Sequence, residues 1–341
     1  METDKNDNMR DLENYSLLAH NTFGVDARCR RFLEYATIEE AQQVAQMLRE
    51  SDLPYIIIGG GSNLLLTRDY EGIVVHSAIK GCSFEGTNML CGSGEVWDEV
   101  VVRSLEHELY GLENLSIIPG DVGASAVQNI GAYGMETAAL ISKIYAVEIA
   151  TGQKCVISAE DCHYGYRDSR FKREWKNRYL ITGVEYSLSK TFSPRLDYGN
   201  ITTELERRGI VSPTAWQVRE VIVDLRNSKL PDPKVIGNGG SFFMNPIVPQ
   251  TQYEALALKY PNMPHYPVDE GHVKIPAGWM IEQCGWKGKS LGRAGVYEKQ
   301  ALVLVNRGGA TGQEVVALSQ TIINDVKEKF GIEIHPEVNI I

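Results

Sequence analysis

The run Gly59-Gly60-Gly61-Ser62-Asn63 follows the apolar segment "LPYIII". Glycines there allow successive backbone N–H groups to converge on an anion such as a pyrophosphate. A plain hairpin turn is the competing reading of the same five residues. None of "GGGSN", "GSGEVW" and "GNGGSF" completes a GxGxxG fingerprint, so a Rossmann dinucleotide site has little support. A second stretch, "IPGDVGASAVQNIGAYG" from Ile118 to Gly134, has side chains small enough for backbone to approach a flat ligand. In it, Gln128 and Asn129 can hydrogen-bond to a ring edge. Alone, the stretch reads as close packing of two elements; the glycine loop upstream shifts the balance towards a cofactor site.

Other stretches carry polar chemistry. In "NGGSFFMNP", Ser241 is either a turn residue or a hydroxyl that two glycines present to a ligand. "YGYRDSRFK" sets Arg167 and Arg170 among aromatics, where an arginine can stack, pair with Asp168 or grip a carboxylate with two parallel bonds. "LRNSKLPDPK" supplies Arg226, Lys229 and Lys234, and "GWKGKSLGR" supplies Lys287, Lys289 and Arg293. Both patches suit phosphate, and both also suit a solvated basic face. Glu337 alternates with apolar residues and reads locally as a surface carboxylate.

The elements that must position these residues follow from pattern. "TIEEAQQVAQMLRE" opens with the capping box Thr37/Glu40 and continues with Ala41, Val44, Ala45 and Leu48 at helical spacing. "LPYIIIGGGSNLLL" reads as strand, glycine turn, strand. Trp97, Val100, Val101 and Leu105 share a helix face that Gly111 ends. The glycine-rich stretch 118–136 is too small-residue-rich for an ordinary core helix and too apolar for a linker. A helix capped by Ser212, with Pro213 in its first turn, buries Val218, Val221, Ile222 and Leu225. The two prolines of "NSKLPDPK" mark a domain boundary. The last helix has the capping box Thr311/Glu314, a face of Val315, Leu318, Ile322 and Val326, and the terminator Gly331. "IEIHPEVNII" then alternates as a strand with Ile332, Ile334, Val338 and Ile340 on one face, Pro336 placing it at an edge or irregularity.

Composition narrows the function classes. A chain of 341 residues with 43% hydrophobic content can bury a large core in two or three domains. A net charge of -10 argues against nucleic acid as a partner, and no stretch approaches the roughly 20 apolar residues of a membrane span. The expectation is a soluble, cytoplasmic protein. Six scattered cysteines lack CxxC spacing and seven histidines lack HxxxH or HExxH spacing, which implies reduced thiols and no metal site.

Taken together, the motifs resemble the UDP-N-acetylenolpyruvoylglucosamine reductase (MurB) family of peptidoglycan precursor enzymes. The resemblance runs from "NTFGVDA" through "GGGSNLLL", "GLENLSIIPGDVGASAVQNIGAYG", "YRDSRFK", "LPDPKVIGNGGSFFMNP" and "AGWMIEQCGWKGKSLG" to "HPEV". It implies an α+β fold whose FAD-binding pair of subdomains is of the vanillyl-alcohol-oxidase/PCMH type, plus a C-terminal α+β substrate domain. The implied spans are 1–79 for FAD-binding subdomain 1, with the strand 332–341 returning to it, 80–229 for subdomain 2, and 230–331 for substrate. FAD is bound without a Rossmann motif and NADPH is the hydride donor. The implied reaction reduces a UDP-N-acetylglucosamine enolpyruvyl ether to UDP-N-acetylmuramate, with hydride from flavin N5 to C3 and a proton to C2.

Residue by residue, the resemblance makes Ser241 the proton donor and Arg167 with Glu337 the pair that polarises the substrate carboxylate. It assigns cofactor contacts to Gly59, Gly60, Gly61, Ser62, Asn63, Pro119, Gly120, Gly123, Ser125, Gln128, Asn129, Gly131 and Ala132. Contacts to the UDP-sugar fall on Tyr198, Lys229, Asn245, Lys287 and Gln300. Tyr198 in "SPRLDYGN" marks the type I form, with a mobile segment closing over substrate. Asp121 and Ser125 depart from the family pattern, and the chain stops four residues after Glu337, so a tail contact found in longer relatives is expected to be absent or replaced. The expected state is a monomer with no metal, nucleic-acid or membrane partner. A different flavin enzyme on this scaffold, such as an oxidase of a small alcohol or sugar, would show oxygen-driven turnover and no need for Ser241, and a flavin- or nucleotide-sugar-binding protein without catalysis would have no reason to combine Arg167, Ser241 and Glu337.

Overall fold

A computed structural model describes residues 9–341; the first eight residues of the 1–79 span lie outside the described residues. The chain folds as two compact units. One contains the residues up to Tyr15, Cys29–Gly60 and Glu71–Arg226; the other contains Ser16–Arg28, Gly61–Tyr70 and Asn227–Ile341.

In the first unit, the strands Arg10–Ser16, Arg28–Tyr35, Tyr70–Ser77 and Tyr55–Ile58 form one sheet in that order. The last two run parallel, with Tyr55 opposite Ile73 and Ile58 opposite His76. A second sheet, antiparallel, has the order Lys154–Ser158, Ile141–Glu148, Tyr179–Ser187, Asn88–Gly92, Cys82–Glu85. The helix Ile38–Glu50 forms half of the expected box: Thr37 Oγ1 accepts from Glu40 N at 3.1 Å, but Glu40 Oε2 accepts from Ala36 N at 2.7 Å, one residue before the N-cap. Its buried face, Ala41, Val44, Ala45 and Leu48, joins Leu33, Tyr35, Ile73, Val75, Val147 and Leu180 in one core cluster.

The second unit contains the sheet Gly237–Ser241, Val303–Asn306, Ala294–Val296, Ser290–Leu291, antiparallel throughout. The helix Gly312–Phe330 packs on it, capped by Thr311 and Glu314 as expected and ended by Gly331 at φ 66°. A smaller sheet orders Ile247–Pro249, His272–Lys274 and Tyr266–Pro267.

Several expectations change in detail. The helix expected to be ended by Gly111 already ends at Glu106, with His107 as its C-cap. "LPYIIIGGGSNLLL" is not a hairpin, because Tyr55–Ile58 pairs with Tyr70–Ser77 while Leu64–Leu65 pairs, also parallel, with Asn339–Ile340. The glycine loop therefore leads from one sheet to another. The strand expected over 332–341 is confined to Asn339–Ile340: Pro336 has no N–H for a ladder, and only an isolated bridge to Phe243 forms there. Ile332, Ile334 and Val338 are buried as the alternation predicts, while Ile340 is exposed. The helix expected to be capped by Ser212 starts later, at Ala215, where Thr214 and Gln217 exchange the capping bonds at 3.3 and 2.9 Å. Finally, the stretch judged too small-residue-rich for a core helix contains one, Val122–Gln128, since Gly123, Ser125 and Ala126 let it lie close against neighbouring strands.

Candidate functional site

The glycine loop is shaped by two approaches of backbone to backbone. In the first unit, a Cβ on Gly59 would stand 2.8 Å from Ala124 Cβ, and one on Gly60 would stand 3.3 Å from Gly120 Cα and 3.1 Å from Asp121 Oδ1. The loop thus lies directly on the start of the Val122–Gln128 helix, and the two glycine-rich stretches singled out in the sequence form one structure. In the second unit, Gly61 has φ 66°, and a Cβ there would stand 1.9 Å from His20 O. No other residue type fits that position.

The Gly61 carbonyl accepts from Thr22 N at 3.1 Å. The Ser62 N–H, anti to that carbonyl in the same trans peptide, is turned the opposite way. Thr22 also donates from Oγ1 to Asn238 O at 2.6 Å, and Asn238 N donates back to Thr22 O at 2.9 Å. Asn63 Nδ2 donates to Glu337 O at 3.3 Å. These bonds, all inside the second unit, bring the glycine loop, the Ser241 strand and Glu337 together.

Ser241 ends the strand Gly237–Ser241 and is exposed. Gly240 is left-handed at φ 70°, and the ladder with Val303–Asn306 breaks register between Asn238 and Ser241. This bulge turns the serine out of the regular alternation while Phe242 and Phe243 remain buried. Glu337 N donates to Phe242 O at 2.8 Å, which fixes Glu337 beside the residue after Ser241. Asn245 Oδ1 accepts from Ala277 N at 2.9 Å, at the first residue of the helix Ala277–Gln283. Gln300 Oε1 reaches the same turn, 3.1 Å from where a Cβ on Gly278 would sit. Lys287 pairs with Glu282 at 3.0 Å, and Lys229 is exposed at the end of its helix.

The first unit gathers the remaining residues. Arg167, itself left-handed at φ 55°, donates from Nη1 to Asn129 O at 3.3 Å and from Nη2 to Gly131 O. Its guanidinium carbon lies 5.3 Å from the Tyr166 ring centroid, and Asp168 pairs with Arg173 instead. Tyr198 packs 3.2 Å from where a Cβ on Gly134 would sit, so the arginine, the 129–134 loop and the half-exposed tyrosine form one cluster. Arg226, named in the sequence only for its charge, has a buried Nε without a hydrogen-bond partner among the described residues. An orphaned buried donor fits a site whose acceptor comes from a ligand.

Two assigned side chains point inward. Ser125 Oγ donates to Val122 O at 2.7 Å and lies 3.0 Å from the Tyr186 hydroxyl. Asn129 donates to Glu136 Oε2 at 2.9 Å and Gly165 O at 2.8 Å, and its Oδ1 accepts from Ala138 N at 3.0 Å. Gly120 and Gly123 bind protein backbone, accepting from Trp97 N at 3.0 Å and donating to Ser93 O at 2.8 Å. Gln128 ends the helix and Ala132 pairs with Met135.

Sequence reasoning missed the support of Asp121. This residue is the N-cap of the Val122–Gln128 helix, yet its carboxylate turns to His76 Nε2, 3.3 Å away, while His76 Nδ1 meets Glu34 Oε2 at 2.9 Å and Arg10 meets Glu34 Oε1 at 2.8 Å. Burial opposes a charged His76, but the bonds to Asp121 and Glu34 prevail and lift its pKa to about 9. The bond from His76, against burial and with help from Arg10, pulls Glu34 down to about 2. A protonated His76 offsets the charge of Asp121 beside Gly60, where a bare carboxylate would repel an anion. A lone histidine at the end of "GIVVHS" gave no signal of this.

Among the described residues no cluster of His, Cys, Asp and Glu could hold a metal, and no helix is long and apolar enough to cross a membrane.

Comparison with known proteins shows the family. The family description "UDP-N-acetylenolpyruvoylglucosamine reductase, C-terminal domain" matches residues 232–341, and "FAD binding domain" matches residues 30–156. A UDP-N-acetylenolpyruvoylglucosamine reductase of Bacteroides fragilis (strain YCH46) is 52% identical over 334 residues, which is 96% of this chain and 99% of that protein. One of Burkholderia multivorans is 46% identical over 96% of this chain and 95% of its own. Among solved structures, UDP-N-acetylenolpyruvylglucosamine reductase (MurB) from Thermus caldophilus superposes with TM-score 0.67 at 22% identity, covering 98% of each chain. 6-Hydroxy-D-nicotine oxidase from Arthrobacter nicotinovorans superposes with TM-score 0.55 at 13% identity, covering 97% of this chain and 88% of its own. Both likenesses are of fold.

Proposed function

The chain belongs to the UDP-N-acetylenolpyruvoylglucosamine reductase family and is a flavin-dependent oxidoreductase of UDP-N-acetylmuramate synthesis; from that premise we propose that NADPH is its reductant and Ser241 its proton donor. The FAD-binding part then comprises 1–79 and 80–229, with 332–341 returning to the first, and 230–331 serves substrate. FAD, held by the glycine loop and the 119–132 segment, would supply the hydride chemistry for C3 of the enolpyruvyl ether, with NADPH as the source of the hydride.

The chain's own residues do the rest. Hydride addition puts negative charge at C2 and on the adjoining carboxylate. Arg167, held by two backbone carbonyls, offers its guanidinium to that carboxylate without having to reorganise, and Glu337 works with it. Ser241 Oγ gives its proton to C2; a hydroxyl is a weak acid in water, but opposite a strongly basic carbon it can donate if rigidly held. Tyr198, Lys229, Asn245, Lys287 and Gln300 orient the UDP-sugar. Gly59 to Asn63 and the 119–132 segment hold FAD, with Ser125 and Asn129 contributing backbone. The enzyme works as a cytoplasmic monomer.

One observation carries the assignment of Ser241: it stands exposed after Gly240 and the bulge while Glu337 is fixed to the next residue's carbonyl. The test is a spectrum of the purified protein, followed by NADPH and then the enolpyruvyl UDP-sugar. Flavin absorbance is expected to bleach with NADPH and to return on adding the sugar nucleotide under anaerobic conditions. Bleaching that the sugar nucleotide does not reverse would refute the reading.

A further inference from the structure

Cys82 and Cys91 lie opposite each other in the hairpin of Cys82–Glu85 and Asn88–Gly92. Gly92 N donates to Gly81 O at 2.9 Å, so residues 81 and 92 stand at a hydrogen-bonding position at the ladder's end and the next pair, 82 with 91, at a non-hydrogen-bonded one. At such pairs the Cα atoms approach to about 4.5 Å, inside the range of about 4.4–6.8 Å that a disulfide spans. The two sulfurs are 3.3 Å apart and unbridged.

A fixed cation addresses one of them. Arg103, on the helix Trp97–Glu106, sets Nη1 3.3 Å from Cys82 Sγ and 2.9 Å from Glu95 Oε1. Glu95 is nearly buried and also accepts from Gly81 N at 2.6 Å, which holds the carboxylate and through it the guanidinium. Glu99, 3.6 Å from Arg103 Nη2, is the other carboxylate on this arginine. Cys91 is fully buried and Cys82 only partly, so a small solute meets Cys82 first.

We propose that Cys82 and Cys91 form a peroxide-responsive dithiol, in which Cys82 is the sulfur oxidised first and Cys91 the one that resolves it to a disulfide. The Cys82 thiolate attacks one oxygen of hydrogen peroxide, the O–O bond breaks, and hydroxide leaves Cys82 as a sulfenic acid. Cys91 sulfur then attacks Cys82 sulfur, the S–O bond breaks, and the departing hydroxide takes the Cys91 proton as water. Overall, two thiols and one peroxide become one disulfide and two waters. A hydrogen bond from Cys91 and, against burial, one from Arg103 lower the Cys82 pKa, so this sulfur has thiolate character. Burial raises Cys155, Cys162 and Cys284 instead, and these serve as internal controls.

The test is peptide mapping of the purified holoenzyme after hydrogen peroxide at neutral pH, with remaining thiols alkylated in denaturant. Two of the six cysteines should become protected, joined as Cys82–Cys91, and dithiothreitol should release them. Cys91→Ser should stop at a Cys82 sulfenic acid that dimedone traps. Arg103→Gln should slow thiol loss about tenfold, the effect of one pKa unit on thiolate content. Protection spread evenly over the cysteines, a bridge between other partners, or no Cys82 sulfenic acid in Cys91→Ser would overturn the proposal. None of these readouts depends on turnover.

Discussion

The two units hold their functional residues by opposite means. In the first, the guanidinium of Arg167 is gripped by the carbonyls of Asn129 and Gly131, and the loop's own polar side chains, Ser125 and Asn129, are turned inward. In the second, it is the backbone around Ser241 and Glu337 that is tied down, Phe242 N donating to Leu302 O at 2.8 Å and Glu337 N to Phe242 O at 2.8 Å, and Ser241 itself is exposed. In the proposed reaction, the charge that waits for a carboxylate is oriented through its own donors. The hydroxyl proposed to give up a proton is placed by the chain beneath it.

That contrast can be broken piece by piece. The largest effect is expected at the proposed donor: Ser241→Ala should lower steady-state turnover by about 10²–10⁴-fold, the usual contribution of a general acid. Arg167→Lys keeps the charge but loses the planar fork, and kcat should fall by about 10²-fold, with the protein as stable as wild type to within about 1 kcal/mol. Gly61→Ala attacks the tether of the second unit. With a methyl forced on His20 O, urea unfolding should show a loss of about 2–4 kcal/mol and flavin should be retained poorly.

The smallest effect belongs to the clamp on Asp121. His76→Gln should cost about 1–3 kcal/mol, read as a shift in urea midpoint. Its pH dependence has a definite sign. His76 is raised from 6.5 to about 9, so its stabilisation is complete below 6.5 and fades as pH rises through 9. Glu34 is lowered from 4.5 to about 2, so its share is complete above 4.5 and fades as pH falls through 2. The gap between wild type and variant should therefore be widest between pH 4.5 and 6.5 and should shrink on both sides. A gap that grows with alkalinity would contradict a charged His76.

Features written within a few residues were legible. The capping box Thr311/Glu314, the Thr37 cap and the face from Trp97 to Leu105 form as their spacing dictates, because each involves one turn of helix and its own side chains. The proposal that Ser241, Arg167 and the glycine loops serve one reaction rests on the whole set of motifs and not on any local pattern. What escaped is long-range. Thr22 reads as an ordinary threonine until the fold sets it between Gly61 and Asn238, 39 and 216 residues away. His76 gains its partners from two other segments, Glu34 and Asp121. The tail alternates like a strand, but Pro336 withholds the N–H that a continuous ladder would need.

The most direct test follows the Ser241→Ala protein through its two half-reactions by rapid mixing. Bleaching of the flavin by NADPH should match wild type to within about twofold, because no proton from Ser241 enters that step, whereas recovery of absorbance on adding the enolpyruvyl UDP-sugar should slow by about 10²–10⁴-fold. Recovery at the wild-type rate would remove Ser241 from proton transfer and contradict the account.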